Sequence, residues 1–241
     1  MYKSPEGTKV HLCDTCLTCK VRGNSILKPC SEATLLAISH FKAKTKYKKG
    51  ESIFQTGEPY RGVFLIKYGV VKLERVSAGG RPFIVKIVGN GGIIGHRERN
   101  NKFIQHYSAT ALSEVECCYI PAESFKEILK NSPDLENQIG EEHLKDLAML
   151  EQKTMNLAYQ SVREKIADAL LLITEVYNYS QTHKSFCIDL SRQDIANLTG
   201  TTKEQVSATL KDFARSGIIK YSGKSFYFIQ IDALKEIIGE R

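Results

Sequence analysis

Between residues 31 and 125 the chain consists of short apolar runs separated by glycine. Examples are Gly62-Val63-Phe64-Leu65-Ile66, Gly69-Val70-Val71-Lys72-Leu73 and Phe83-Ile84-Val85-Lys86-Ile87-Val88-Gly89. β-Branched residues dominate these runs, and Gly79-Gly80 and Gly89-Asn90-Gly91-Gly92 mark turns. The pattern predicts an all-β roll or barrel. The texture changes near Pro133. Leu147, Leu150, Thr154 and Leu157 recur at alternating spacings of three and four, the period of a helix with a coiled-coil-like seam. So long a helix is expected to pair with a second copy of itself. The plain alternative is an amphipathic helix lying on its own β-domain, since polar His143 and Thr154 interrupt the seam. Ile166, Leu170 and Ile173 form the apolar stripe of a second helix, around residues 162–177.

The last third carries a sharper signal. Ser191 followed by Asp194 is close to a capping box and predicts a helix start. Ile195, Ala196 and Leu198 give that helix a buried face, and Gly200 sits where a helix ends in a left-handed residue. Thr202 followed by Gln205 is a second capping box, and Val206, Leu210 and Phe213 are the buried face of a second helix. Two short helices joined by so short a turn predict a helix-turn-helix, whose second helix enters the major groove of double-stranded DNA N-terminus first. The candidate DNA-binding residues are Arg192, Thr201, Thr202, Lys203, Glu204, Ser207, Thr209 and Lys211. Glutamate accepts from cytosine N4, serine bonds either partner, and Lys203, Lys211 and Arg215 suit phosphates. Two β runs around Gly223 read as a wing. A winged helix that binds only protein is the bland alternative; the polar dress of the second helix argues against it.

The expected fold class is therefore α+β. Residues 1–30 are a cysteine-rich segment, 31–132 a β-roll, 133–160 a dimerisation helix and 161–241 a winged helix-turn-helix domain. Charge refines this only slightly. The net charge is +7, and residues 1–50 alone carry ten Lys or Arg against three Asp or Glu. The C-terminal region is nearly balanced, so DNA binding cannot rest on bulk charge. No apolar stretch is long enough to span a bilayer and Met1–Glu6 lacks an apolar h-region, so a cytoplasmic protein without membrane contact is expected.

The order of parts resembles the CRP/FNR family of bacterial regulators. The local matches are Lys49-Gly50-Glu51-Ser52-Ile53-Phe54-Gln55-Thr56-Gly57-Glu58, Gly92-Ile93-Ile94-Gly95, Cys118-Tyr119-Ile120-Pro121 and the helix-turn-helix itself. The resemblance implies a homodimer on a two-fold symmetric DNA site, RNA polymerase as a further partner, and a roll of the cyclic-nucleotide-binding type that senses a signal. Two departures matter. Cyclic-nucleotide-binding members have a glutamate after the Ile-Gly and an Arg-Ser pair further on. Here His96-Arg97 follows Gly95, and the Arg-Ser positions fall on Gln105-His106. Glutamine cannot supply the charge a cyclic phosphate wants, so cyclic AMP is not expected to bind; Arg97 either holds some other anion or, the plainer reading, is a surface arginine. In the second helix, the arginine that reads guanine in many relatives is replaced by Ala208.

Seven cysteines occur, four of them Cys13, Cys16, Cys19 and Cys30. A reducing compartment favours a metal or redox reading of this cluster over disulfides. Cys13-x2-Cys16-x2-Cys19 can hold an iron–sulfur cluster; zinc, completed by Cys30 or His11, is the direct competitor, and no metal at all is the third possibility. The FNR branch holds an oxygen-sensing [4Fe–4S] cluster with N-terminal cysteines plus one roll cysteine before an x-Ile-Pro. The resemblance thus implies Cys13, Cys16, Cys19 and Cys118 as ligands, with Cys30 as the alternative. Cys117 would face the opposite side of its strand, and Cys187 reads as structural. Oxygen, redox state or nitric oxide would be the signal. The alternative is the same regulator without a metal, answering another small ligand or its own abundance. An iron–sulfur redox enzyme is the rival class. No nucleophile elbow, Walker loop or zinc-protease motif supports it, so the chain is not expected to be an enzyme.

Overall fold

The computed structural model describes residues 15–98, 104–179, 186–187 and 190–239. Helix α1 (Glu32–Phe41) precedes eight strands: β1 (Ala43–Tyr47), β2 (Ser52–Phe54), β3 (Gly62–Tyr68), β4 (Val71–Val76), β5 (Pro82–Val88), β6 (Ile93–Ile94), β7 (Ser108–Ala111) and β8 (Val115–Pro121). Then come α2 (Ala122–Asn131), the long α3 (Pro133–Tyr159) and α4 (Val162–Val176). The C-terminal elements are β9 (Phe186–Cys187), α5 (Arg192–Thr199), α6 (Lys203–Arg215), β10 (Ile219–Ser222), β11 (Ser225–Ile229) and α7 (Ile231–Ile238). The fold is α+β. Its two compact units comprise the described residues up to Arg75 with Ile87–Ala148, and Val76–Lys86 with Met149–Arg241.

The first unit is built on two antiparallel sheets, with strand orders β1-β8-β3-β6 and β2-β7-β4. Strand β3 explains why its run is apolar at successive positions rather than alternating: both of its faces are covered. Phe64 and Ile66 enter a core with Phe54, Val71, Leu73, Ile94 and Cys117 between the sheets. Val63 and Leu65 point the other way, with Cys118 and Ile120 of β8, into a second core closed by α1, α2, the start of α3 and the segment around Cys16 and Ile26. The period-2 alternation of a strand thus separates the adjacent Cys117 and Cys118 onto opposite faces. Asp134, at the start of α3, ties this layer together by accepting from Ser31 N–H at 2.6 Å and from Thr34 Oγ1 at 2.8 Å.

Helix α3 leaves Leu144, Leu147, Met155 and Tyr159 largely exposed. Leu150 and Leu157 are half-buried, so the exposed apolar side chains do not follow the strip of leucines read from spacing. In the second unit, α4 starts in a capping box formed by Ser161 and Glu164. Its Ile166, Leu170 and Ile173 are fully buried, as the stripe requires.

Candidate nucleic-acid interface and cysteine-lined pocket

Both capping boxes of the helix-turn-helix form. Ser191 Oγ accepts from Asp194 N–H at 3.0 Å, while Asp194 Oδ2 accepts from Ser191 N–H at 2.9 Å. Thr202 Oγ1 accepts from Gln205 N–H at 3.2 Å, and Gln205 Oε1 accepts from Thr202 N–H at 3.0 Å. Each box satisfies backbone donors that a helix start leaves without partners. Between them Gly200 takes φ +65°, and an added Cβ would lie 3.1 Å from Leu157 Cδ2. A left-handed conformation and a close neighbour both favour glycine there. Val206, Leu210 and Phe213 are fully buried, which fixes the rotation of α6 and hence the face it offers.

That face carries exposed Lys203, Glu204, Gln205, Ala208 and Lys211. The other candidates are committed to local bonds. Ser207 Oγ donates to Lys203 O at 2.8 Å. Thr201 Oγ1 lies 2.7 Å from Thr199 Oγ1, and Thr202 caps the helix. Thr209 is half-buried. Arg192 donates to Gly223 O at 3.0 Å and stacks over Tyr221 at 4.8 Å, so its guanidinium holds the wing. The wing pairs Tyr221 with Phe226 and Ser222 with Ser225, placing Gly223 and Lys224 at the tip. Exposed Lys220 and Lys224 are cations that the sequence reading passed over. A lysine beside a glycine at a two-residue hairpin turn was the available signal. On the far side of α6, Arg163 pairs with Asp212 and covers the Phe213 ring at 4.7 Å.

The first unit holds the cysteines. Cys16, Cys19 and Cys118, from the N-terminal segment and β8, line one pocket with Lys42, Leu65, Lys67 and Gly91, around a cavity of about 30 Å³. Cys16 is 2% exposed; its N–H donates to Ser39 Oγ at 2.7 Å, and Lys42 Nζ donates to its Sγ at 3.1 Å. Lys42 was not singled out by the sequence; nothing in a run of basic residues marks which one turns inward. Gly91 has φ +87°, and an added Cβ would stand 2.3 Å from Asn24 O, so the N-terminal segment lies directly on the β5–β6 turn. Cys30 lies outside the pocket lining. Its Sγ donates to Ile26 O at 3.5 Å, and burial, then the charges of Asp134 and Cys16, push its thiol up to about 11. Cys117 lies in the core between the sheets beside Thr45 Oγ1 at 3.0 Å; burial pushes it up to about 12. Cys13 and His11 lie outside the described residues, as does the side chain of Cys187. Thiolates beside an ammonium are the right donor chemistry for an iron–sulfur cluster. Among the described residues, however, no three His, Cys, Asp or Glu side chains are arranged to hold a metal ion.

Arg97 is not on the surface. Its Nε donates to Asp146 Oδ2 at 2.6 Å, and its guanidinium lies over Tyr107. His96 Nε2 lies 3.2 Å from the same Asp146 oxygen, and the His96 ring stacks on His143 with centroids 5.3 Å apart. Asp146 of α3 is 5% exposed. His96 and Arg97, which follow Gly95, thus pair with the chain's own carboxylate. Gln105 is buried too.

A β-roll, a long helix and a winged helix-turn-helix with a polar second helix define a two-part DNA-binding regulator. Comparison with known proteins makes this specific. Residues 44–132 match the family model of the cyclic nucleotide-binding domain, and residues 164–237 that of the Crp-like helix-turn-helix domain. The chain belongs to the CRP/FNR family of DNA-binding transcription regulators. It is 28% identical to Electron transport regulator A of Shewanella oneidensis, over 78% of this chain and 75% of that one. It is 23% identical to the transcriptional activator protein FnrL of Cereibacter sphaeroides, over 87% and 85%. The structure of FixK2 from Bradyrhizobium japonicum superposes with a TM-score of 0.72 at 20% identity, covering 81% of this chain and 96% of that one. These relatives are regulators, not enzymes. Among the described residues no helix is long and apolar enough to cross a membrane.

Proposed function

We propose that this regulator acts as a homodimer, reads a two-fold symmetric DNA site with α6, and senses oxygen, redox state or nitric oxide through its cysteines. The observation that carries the sensing half is the convergence of Cys16, Cys19 and Cys118 on one pocket floored by the buried Lys42. Cys13, Cys16, Cys19 and Cys118 would hold a [4Fe–4S] cluster, with Cys30 as the alternative fourth ligand. Such a cluster supplies an oxidant-labile centre. The chain's own residues do the rest: Lys42 offsets thiolate charge inside the core, and Gly91 lets the N-terminal segment close over the pocket. For the DNA half, Lys203, Lys211 and the wing lysines meet phosphates, Glu204 reads a base edge, and RNA polymerase is the downstream partner. Leu144, Leu147, Met155 and Tyr159, exposed on α3, supply apolar surface for pairing with a second copy.

Anaerobic purification followed by a visible spectrum and iron and sulfide analysis tests the sensing half. A brown protein with iron and sulfide near cluster stoichiometry that bleaches in air is the expected result. A colourless protein with neither element refutes it. The small cavity favours one second reading, the same regulator without a metal; its DNA binding would be the same in air and under argon.

A further inference from the structure

Lys42 is a charged side chain in an unusual place. It follows α1 directly, is 6% exposed, and brings Nζ to 3.1 Å from Cys16 Sγ inside an apolar core. Burying an ammonium is costly unless partners surround it, so the contact is a built feature. Cys16 is fixed from the other side. Its N–H donates to Ser39 Oγ, which donates in turn to Leu35 O at 2.7 Å, anchoring the sulfur to α1. Sulfur and nitrogen both border the cavity of about 30 Å³ beneath Leu65 and Ile66. A space of that size admits a water-sized molecule.

We propose that Cys16 and Lys42 are a redox modification site, forming an oxygen-bridged Sγ–O–Nζ crosslink. The reaction consumes one thiol, one amine and one O2. One oxygen atom becomes the bridge, through new S–O and N–O bonds. The other leaves as water, carrying the thiol hydrogen and one amine hydrogen. Sulfur and nitrogen together give up the four electrons that O2 accepts. The sulfur passes through the sulfenic level, the reversible step of cysteine oxidation; reversal returns all four electrons, two from each of two dithiothreitol molecules, and restores thiol, amine and one water. The crosslink ties the N-terminal segment to the start of β1 and withdraws Cys16 from any metal. It does not depend on the cluster reading, because it uses Cys16 when no metal holds it.

The test is the mass of the full-length chain after exposure to air with a chelator, against a sample kept anaerobic with reductant. The air sample is expected to gain about 14 Da per chain. Peptide mapping with a protease that cuts at glutamate is expected to yield one linked pair joining the Cys16 and Lys42 peptides, released by dithiothreitol. Lys42→Arg and Cys16→Ser each abolish the pair, and Cys19→Ser keeps it. If a variant fails to fold, the linked peptide from the unmodified sequence decides alone. An unchanged mass, a loss of about 2 Da from a disulfide, or about 16 or 32 Da on Cys16 without Lys42 overturns the proposal. Iron and sulfide analysis under argon is read separately, so failure of the crosslink and failure of the cluster are distinct results.

Discussion

Lys203 and Lys211 stand eight residues apart on α6, and both are exposed. At about 1.5 Å rise per residue their Cα atoms are separated by about 12 Å along the axis, comparable to the ~12 Å width of the B-DNA major groove. One helix can therefore place a cation toward each wall of the groove. If each lysine neutralises one phosphate, a dimer makes four such contacts. Removing all four with Lys203→Ala and Lys211→Ala reduces the slope of log K against log salt by about 3.6, at roughly 0.9 per contact. The same relation puts the affinity loss at about 3.6 orders of magnitude in 0.1 M salt, shrinking toward nothing near 1 M. The assay is fluorescence anisotropy with a symmetric duplex selected from random sequence, titrated at several salt concentrations. Neither lysine touches the buried face of Val206, Leu210 and Phe213, so thermal unfolding is expected to be unchanged. A change in slope near 1.8 would mean that one copy of α6 engages the duplex, refuting the dimeric geometry. An affinity loss independent of salt would refute phosphate contact.

Four further outcomes follow from single contacts. Thr202→Ala removes the cap of α6 and is expected to cost about 1 kcal/mol in urea unfolding; Thr202→Asn should recover most of it. Gly91→Ala places a methyl 2.3 Å from Asn24 O at φ +87°, so the N-terminal segment must lift, and Cys16 and Cys19 are expected to react faster with a thiol reagent, measured by mass spectrometry. Asp146→Ala strands Arg97 and His96 without their carboxylate, and removing one partner of a buried ion pair costs about 3–5 kcal/mol; calorimetry of the full chain reads it. Burial pushes Lys153 down to about 8, although Asp168 opposes the shift. Above that pH the folded chain has released a proton that the unfolded chain keeps until about 10.4. Stability should therefore rise across that window relative to Lys153→Met, and matched urea midpoints at pH 7.5 and pH 10 check it.

The helix-turn-helix was legible because its signals are local. A capping box needs residues three apart, and Ser191 with Asp194 or Thr202 with Gln205 makes its bonds whatever else the chain does. Gly200 ends α5 for an equally local reason. The roll was legible in its turns and runs, since a strand buried on both faces, such as β3, reads as continuous apolar sequence. The exposed apolar side chains of α3 coincide only in part with the strip read from spacing, at Leu147. Spacing picks out Leu147, Leu150, Thr154 and Leu157, yet the exposed residues include Leu144, Met155 and Tyr159. A helix more than two turns long can carry several apolar stripes, and which stripe its own domain covers depends on residues distant in sequence.

The same distinction separates what was seen of the site from what was not. Cysteine spacing names ligand chemistry, because thiolates three apart can share a metal regardless of context. It says nothing of Lys42, whose importance comes from where α1 ends rather than from its neighbours Phe41 and Ala43. Arg97 is the mirror case. Its sequence neighbour is Glu98, yet Asp146, which captures it, sits far along the chain on α3. The chain supplies the anion that Arg97 holds, and His96 lies against the same carboxylate. An external anion seeking Arg97 would have to displace a carboxylate already held at 2.6 Å. That competition bears on Arg97 itself, because a missing donor weakens an anion site, whereas an internal partner occupies it.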